Sequence, residues 1–304
     1  MDRRQFFKKT VKYGAVTTAA IVTSNFNSLL ASPSKNPDLV AVKGGTAVQM
    51  FKKGIAAFGG MKEFVKKGQT VVVKPNIGWD VEPEGAANTN PGLVAEIIKH
   101  CLAAGAKKVY VFDHTCDNWK LCYKNSGIRS AVKKAGGIIV PGSNSSDYRK
   151  VRVPGGKKIK TQRVHRLIID SDVFINVPVL KSHGSSRLTI GMKNLMGIVW
   201  ERWPWHTKGL DECIAEFAAY RKPELTIVDA YRVLMKNGPR GTSNPSDVKE
   251  LKYQVLSQDI VSADAAAAKI FGVSPSSIEH IKLAHGKKLG NMNLNEIKIK
   301  RISI

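Results

Sequence analysis

Thr70-Val71-Val72-Val73-Lys74 and Lys108-Val109-Tyr110-Val111-Phe112, with Gly92–Ala104 between them, decide the fold class. The two runs are short, apolar and β-branched, and so read as strands. Gly92–Ala104 has helical apolar spacing, with Asn90 as N-cap, Pro91 at the first helical position and Gly105 at the C-terminal end. A strand–helix–strand unit brings its two strands side by side and parallel. Working outward, Leu39–Lys43, Ile138–Val140, Val173–Val177, Leu225–Asp229 and Ile297–Ile302 read as further strands. Ala47–Phe58 and Met61–Lys66 carry helical spacing, and helices are predicted over Asp211–Tyr220, Ser262–Phe271 and Pro275–Leu283. Ser262 and Ala263 lead one of these helices and Ser274 caps the last. The alternation predicts an α/β fold, a mostly parallel twisted sheet with helices on both faces in three layers. No internal repeat interrupts it, so residues 38–304 are expected to form one domain behind a linker at 32–37.

The chain has 304 residues, enough for a sizeable core. Its charged fraction of 24 % and 43 % hydrophobic content exclude collagen-like, disordered and coiled-coil classes. Four cysteines with no CxxC pair exclude a disulfide scaffold, a ferredoxin-type iron–sulfur motif and a zinc ribbon made by this chain alone. Lys+Arg outnumber Asp+Glu by 48 to 24, a net charge of +24, which points to anionic partners. The basic pairs, such as Lys66-Lys67, Lys107-Lys108, Lys133-Lys134, Lys157-Lys158 and Lys287-Lys288, are not interleaved with aromatics. With no nucleic-acid motif present, nucleic acid is not expected as a partner, and attraction to anionic envelope surfaces or substrates accounts for the charge.

Asp2-Arg3-Arg4-Gln5-Phe6-Phe7-Lys8 resembles a twin-arginine export signal, with Asp2 and Phe7 departing from the usual pattern. Tyr13–Ser34 is uncharged but too rich in Thr and Asn for a membrane span. Leu29-Leu30-Ala31 offers a cleavage point. The expectation is export to the periplasm or cell envelope through the twin-arginine machinery, with no stable transmembrane span after cleavage. An uncleaved anchor and a plain basic amphipathic N-terminus are the alternatives. Residues 1–31 carry +4, so the body keeps +20. Such signals carry folded proteins, often already loaded with a cofactor, and the resemblance extends that expectation here.

In open α/β sheets function gathers at the carboxyl ends of strands. Here those ends present Lys74 and Asn76, then Asp113, His114 and Cys116, then Lys181, Ser182 and His183, then Asp229. A neutral imidazole at His183 or His114 could take a proton or ligate a metal. Lys181 and Lys193 could neutralise a carboxylate or phosphate, or Lys193 could form a covalent adduct. Asp113 and Asp229 could orient a histidine or complete a metal shell with His114 and His183. Gly191 and Gly197 bracket a turn whose N–H groups could face an anion, with Lys193 and Asn194 beside them. Each of these could instead be a strand-end cap or a solvated side chain. Trp200–His206 holds three tryptophans and Pro204, and reads as a loop or lid that would place Trp203 over a substrate or pack as an aromatic loop. Cys116 and Cys122 lie six apart and could form a disulfide in an oxidising compartment, with metal ligation by Cys116 as the competing reading. His100, His165, His280 and His285 read as exposed or core histidines.

Val73-Lys74-Pro75-Asn76, Pro178–His183, Gly191–Gly197, Val228-Asp229-Ala230, Gly238-Pro239 and Asp259 with Asp264 together resemble the domain-of-unknown-function family 362 over most of residues 70–272. Some members carry ferredoxin-type cysteines, which this chain lacks. A partial resemblance to the cofactor domain of nickel-pincer lactate racemases rests on His183 and Lys193, ten residues apart, and on Asp113-His114-Thr115. It departs at Cys116 and in the turn before Lys193. It implies metal or general-base roles for His114 and His183 and a cofactor-anchoring role for Lys193. The expected function is binding of a divalent metal or a metal-containing cofactor with a small anionic substrate, for isomerisation or redox chemistry. The alternative is a non-catalytic envelope protein delivering a metal or anion.

Overall fold

The strand valines alternate between two cores, and that alternation builds the layers. Val71 and Val73 join one buried cluster while Val72 joins the other, and Val228 and Ile227 divide the same way. A strand buried on both faces sends successive side chains to opposite sides. The computed structural model describes residues 36–304, and Pro37–Ile304 form one compact unit. Residues 1–31, read from the sequence as an export signal, and the linker positions before Asn36 lie outside the described residues.

The strands are β1 (Leu39–Lys43), β2 (Thr70–Pro75), β3 (Lys108–Val111), β4 (Ile138–Ile139), β5 (Tyr148–Arg152), β6 (Thr161–His165), β7 (Val173–Val177), β8 (Val179–His183), β9 (Arg187–Thr189), β10 (Leu225–Leu234), β11 (Val248–Ser257) and β12 (Ile299–Ser303). The helices are α1 (Ala47–Ala57), α2 (Pro91–Ala103), α3 (Trp119–Asn125), α4 (Ile128–Lys134), α5 (Arg166–Asp170), α6 (Gly191–Asn194), α7 (Trp203–Lys208), α8 (Leu210–Phe217), α9 (Ile260–Phe271) and α10 (Glu279–Gly286). The main sheet runs β12-β1-β11-β10-β7-β2-β3-β4, with β8 continuing beside β10 and β9 beside β8. Its pairs are parallel except those of β11 with β1 and β10, and of β8 with β9. The fold is therefore the α/β, mostly parallel sheet with helices on both faces. β5 and β6 form a separate antiparallel hairpin.

Local chemistry sets most element ends. Asn90 accepts the Leu93 N–H and Pro91 opens α2, as the sequence predicts. α1 starts with a reciprocal capping box between Thr46 and Gln49. The structure also corrects several boundaries. α9 begins earlier than Ser262, because Asp259 accepts the Val261 and Ser262 N–H groups. Pro275–Leu283 is split into a 3₁₀ turn at Pro275–Ser277 and then α10, and Ser274 makes no side-chain cap. Trp203–His206, expected as a loop, lies in helix α7. Pro204 sits in its first turn, where the missing N–H has no intrahelical partner to lose. β10 runs on past Asp229 through a bulge between Ala230 and Arg232 and pairs with the long β11. No described helix is long and apolar enough to cross a membrane.

Candidate functional site

The carboxyl ends of β2, β3 and β8 open onto a cavity of about 490 Å³. Lys74, Asn76, His114, Lys181, His183, Lys193, Asn194 and Trp203, all singled out in the sequence, line it. Gly191 and Asp229 do not; they are discussed below.

At the floor, Lys74 Nζ is 2.9 Å from Asp113 Oδ1 and donates to Asn194 Oδ1 at 2.6 Å. Both members of this ion pair are almost fully buried. Asp113 Oδ2 accepts the Ile77 N–H, while Oδ1 meets the ammonium as an ion pair outside hydrogen-bond angles. Burial pulls the Lys74 ammonium below its ordinary pKa, against the pull of Asp113. A row of amides continues from this pair. Asn194 Oδ1 also accepts from Asn76 Nδ2, Asn194 Nδ2 donates to Asn176 Oδ1, and Asn76 Oδ1 accepts from Lys181 Nζ. These neutral partners satisfy buried donors without adding negative charge. Gly197 closes against the floor so tightly that a Cβ would lie 1.9 Å from Asp113 Oδ1 and 2.6 Å from Lys74 Nζ.

Lys181 donates to Asn76 Oδ1 and the Ala87 carbonyl, and burial lowers its pKa to about 7. Lys193 donates to the Met196 thioether at 3.1 Å. Its pKa falls to about 8, by burial first, with Arg202 and Lys74 adding to the fall. Neither ammonium is within ion-pair distance of a described carboxylate. Arg202 lines the wall and its guanidinium donates to the His114 and Thr115 carbonyls.

Of the three histidines that line the cavity, His114 and His183 differ in tautomer and His206 stands beside Trp203. His114 Nδ1 lies 2.9 Å from the Val199 carbonyl, which can only accept. Nδ1 therefore carries the proton and Nε2 keeps a lone pair. Its ring stacks parallel to Trp200 at 4.9 Å, and burial lowers its pKa. His183 Nδ1 accepts the Ser185 and Ser186 N–H groups, so in the neutral ring Nε2 carries the proton. Burial, then Lys193 and Lys181, hold the His183 pKa down to about 3. His183 is thus a neutral donor at Nε2, not the base that the sequence left open, whereas His114 offers a lone pair at Nε2.

The anion turn is also corrected. The Gly191 and Met192 N–H groups at the start of α6 do not face a free site. They donate to Asp264 of α9 at 2.7 and 3.0 Å. A Cβ on Gly191 would come 2.6 Å from that carboxylate. Asp229 accepts the Asn90 and Tyr231 N–H groups and joins no metal shell with His114 and His183. Among the described residues no three His, Cys, Asp or Glu side chains converge to hold a metal. Cys116 and Cys122 are free thiols rather than a disulfide; Cys116 is exposed at the cavity and Cys122 is buried against Gly78. His165 is fully buried and stacks on Phe112.

Sequence reading gave no site role to Arg202, Trp79, Asn176 or Asp264. Arg202 stood in the Trp200–His206 stretch, where the tryptophans drew the attention. Asn176 lies within an apolar strand, an inward polar residue that only a partner such as Asn194 explains. Asp264 figures only within the family motif, and its contact with the turn is not readable locally because it lies in an alanine-rich helix 72 residues from Met192.

Comparison with known proteins shows the family. The model of a family described as a domain of unknown function, DUF362, matches residues 71–269. A thylakoid-associated protein of Synechocystis is 27 % identical over 249 residues, 77 % of this chain and 73 % of that protein. The lactate racemase apoprotein of Thermoanaerobacterium thermosaccharolyticum superposes with a TM-score of 0.41 at 14 % identity, covering 66 % of this chain and 52 % of that one. A Thermotoga maritima protein gives 0.44 at 10 % identity, covering 80 % and 60 %. The chain thus spans between half and three fifths of those two solved structures.

Proposed function

We infer that this chain, which belongs to the DUF362 family, binds a small organic anion bearing a carboxylate or phosphate at the strand carboxyl ends and exchanges a proton with it through His114. One observation carries the reading: Lys181 and Lys193 line the cavity with amide, carbonyl and thioether partners instead of carboxylates. A buried ammonium without an anion is costly, and a ligand anion relieves that cost. Lys74 and Arg202 raise the positive potential further, and the one cavity carboxylate, Asp113, is held by Lys74. That charge balance favours an anion over a divalent cation, so the metal reading loses its donor set and an anionic substrate or organic cofactor remains.

His114 supplies the chemistry. Its Nε2 lone pair can accept a proton near pH 7, and Val199 and Trp200 fix its ring. His183 can donate from Nε2 to an oxygen of the anion without becoming charged. Together they support proton transfer on a carboxylate-bearing substrate, the isomerase side of the sequence expectation.

The test is calorimetric titration of the full chain with inorganic phosphate, pyrophosphate and a series of hydroxy- and dicarboxylates. NMR in D₂O then follows deuterium entry at the carbon next to the carboxylate. We expect binding of at least one of these anions, weakened tenfold or more by Lys193→Met, and deuterium entry lost in His114→Gln. Binding without exchange would make the protein a carrier. Uptake of a divalent cation with no anion binding would overturn the reading. We further read Asp2–Lys8 as the signal that exports this site; a chain whose cellular fraction is unmoved by Arg3→Lys with Arg4→Lys would contradict it.

A further inference from the structure

The opposite edge of the sheet has its own chemistry. β2, β3 and β4 start there side by side, and three turns that precede them gather seven exposed lysines. Lys62, Lys66 and Lys67 lead into β2, Lys107 and Lys108 into β3, and Lys133 and Lys134 end α4 before β4. The first two turns are knitted together, since the Gly68 N–H donates to the Gly105 carbonyl and the Lys107 N–H to that of Gln69. Adjacent strands lie about 4.8 Å apart, so the three strand starts span roughly 10 Å. Among the described residues the lysines in ion pairs are Lys52, Lys74, Lys99, Lys252, Lys282 and Lys287, none of these seven. Of the nearby acids, Asp172 accepts the Thr70 N–H and Glu63 stands alone.

Two further observations say what meets this face. Ile138, one of few exposed large apolar side chains, starts β4 among the lysines. β1 runs in the same direction as β2, since β1 is antiparallel to β11 and β11 to β10. β1 therefore starts at this edge too. Positive charge beside an exposed apolar side chain suits a bilayer better than a nucleic acid or an acidic protein.

We propose that the strand-start edge carrying Lys62, Lys66, Lys67, Lys107, Lys108, Lys133 and Lys134 docks on the surface of an anionic lipid bilayer. The strands run away from that surface, so the cavity at their carboxyl ends faces the aqueous side and stays open to ligand. The attraction is electrostatic, about 1 kcal/mol or fivefold per lysine near the surface, and is screened within a Debye length.

The experiment is co-sedimentation of the full chain with vesicles of phosphatidylcholine alone and of equal phosphatidylcholine and phosphatidylglycerol. We expect binding only to the mixed vesicles, weakening as salt rises. K66Q/K67Q/K107Q/K108Q should lower it at least tenfold, with thermal unfolding unchanged to show an intact fold. K150Q/K157Q/K158Q/K160Q, which removes four exposed lysines from the β5–β6 hairpin, is the control and should lower it by far less. Equal loss in the two variants would mean net charge alone and would overturn the docking face. So would unchanged binding of the first variant, or tighter binding to DNA or polyglutamate than to the mixed vesicles.

Discussion

Lysines crowd both ends of the same parallel strands, and the two sets are chemically different. At the carboxyl ends, Lys74 and Lys181 are enclosed and Lys193 is half-buried; all three are hydrogen-bonded to amides, a carbonyl or a thioether and pushed down in pKa by desolvation. At the amino ends, Lys66, Lys67, Lys107 and Lys108 stand in water. Residue type is the same and the solvent is not. A buried ammonium seeks an anion or gives up its proton, whereas an exposed one remains a solvated charge that acts at a distance.

The strongest way to break that contrast is at the buried pair. Asp113→Ala leaves Lys74 charged in the floor with Asn194 in place of a carboxylate, and should cost about 3–5 kcal/mol in denaturant unfolding. Lys74→Met with Asp113→Leu should recover most of that loss, because the desolvated charges leave together. A double variant as unstable as the single would mean that packing, not charge, dominates the floor. Gly197→Ala comes next. Its Cβ would overlap Asp113 and Lys74, so a loss of about 1–3 kcal/mol is expected, together with disturbed anion binding.

Anion affinity sharpens the comparison through pH. Both lysine pKa values are depressed, Lys181 to about 7 and Lys193 to about 8, so both amines are charged below those values and lose charge above them. Affinity for phosphate or a carboxylate should be highest below about pH 7 and fall as pH rises through 8, by up to about tenfold per pH unit for each proton taken up. Lys181→Met with Lys193→Met should flatten the profile. A profile flat in the unaltered chain would place the anion elsewhere. The smallest effect belongs to the exposed set: Lys66→Gln or Lys107→Gln should change unfolding free energy by no more than about 0.5 kcal/mol.

Much of this was legible in the residues. The valine-rich runs at Thr70 and Val173 and the Asn90-Pro91 helix start have local causes, and the structure keeps them. The strand-end lysines and histidines were legible too, because topology sends strand ends to one place. The misses share a physical origin in partners far away in sequence. The anion turn at Gly191 looks open until Asp264 arrives from α9, and Asp229 looks like a ligand until Asn90 and Tyr231 claim its oxygens. Pro204 reads as a breaker unless it falls in a first turn.

The sequence by itself determined the periodicities, and with them the α/β layering, the placement of polar residues at strand ends and the surplus of positive charge. Only the tertiary structure decided which lysines are buried, which nitrogen of His114 and His183 carries a proton, and which carboxylates are already engaged. Periodicity depends on neighbours two to four residues apart, which the sequence holds in order. Protonation and pairing depend on dielectric and on hydrogen-bond partners far away in sequence, 120 residues apart for Lys74 and Asn194 and 139 for Asn90 and Asp229, and only the folded chain brings those together.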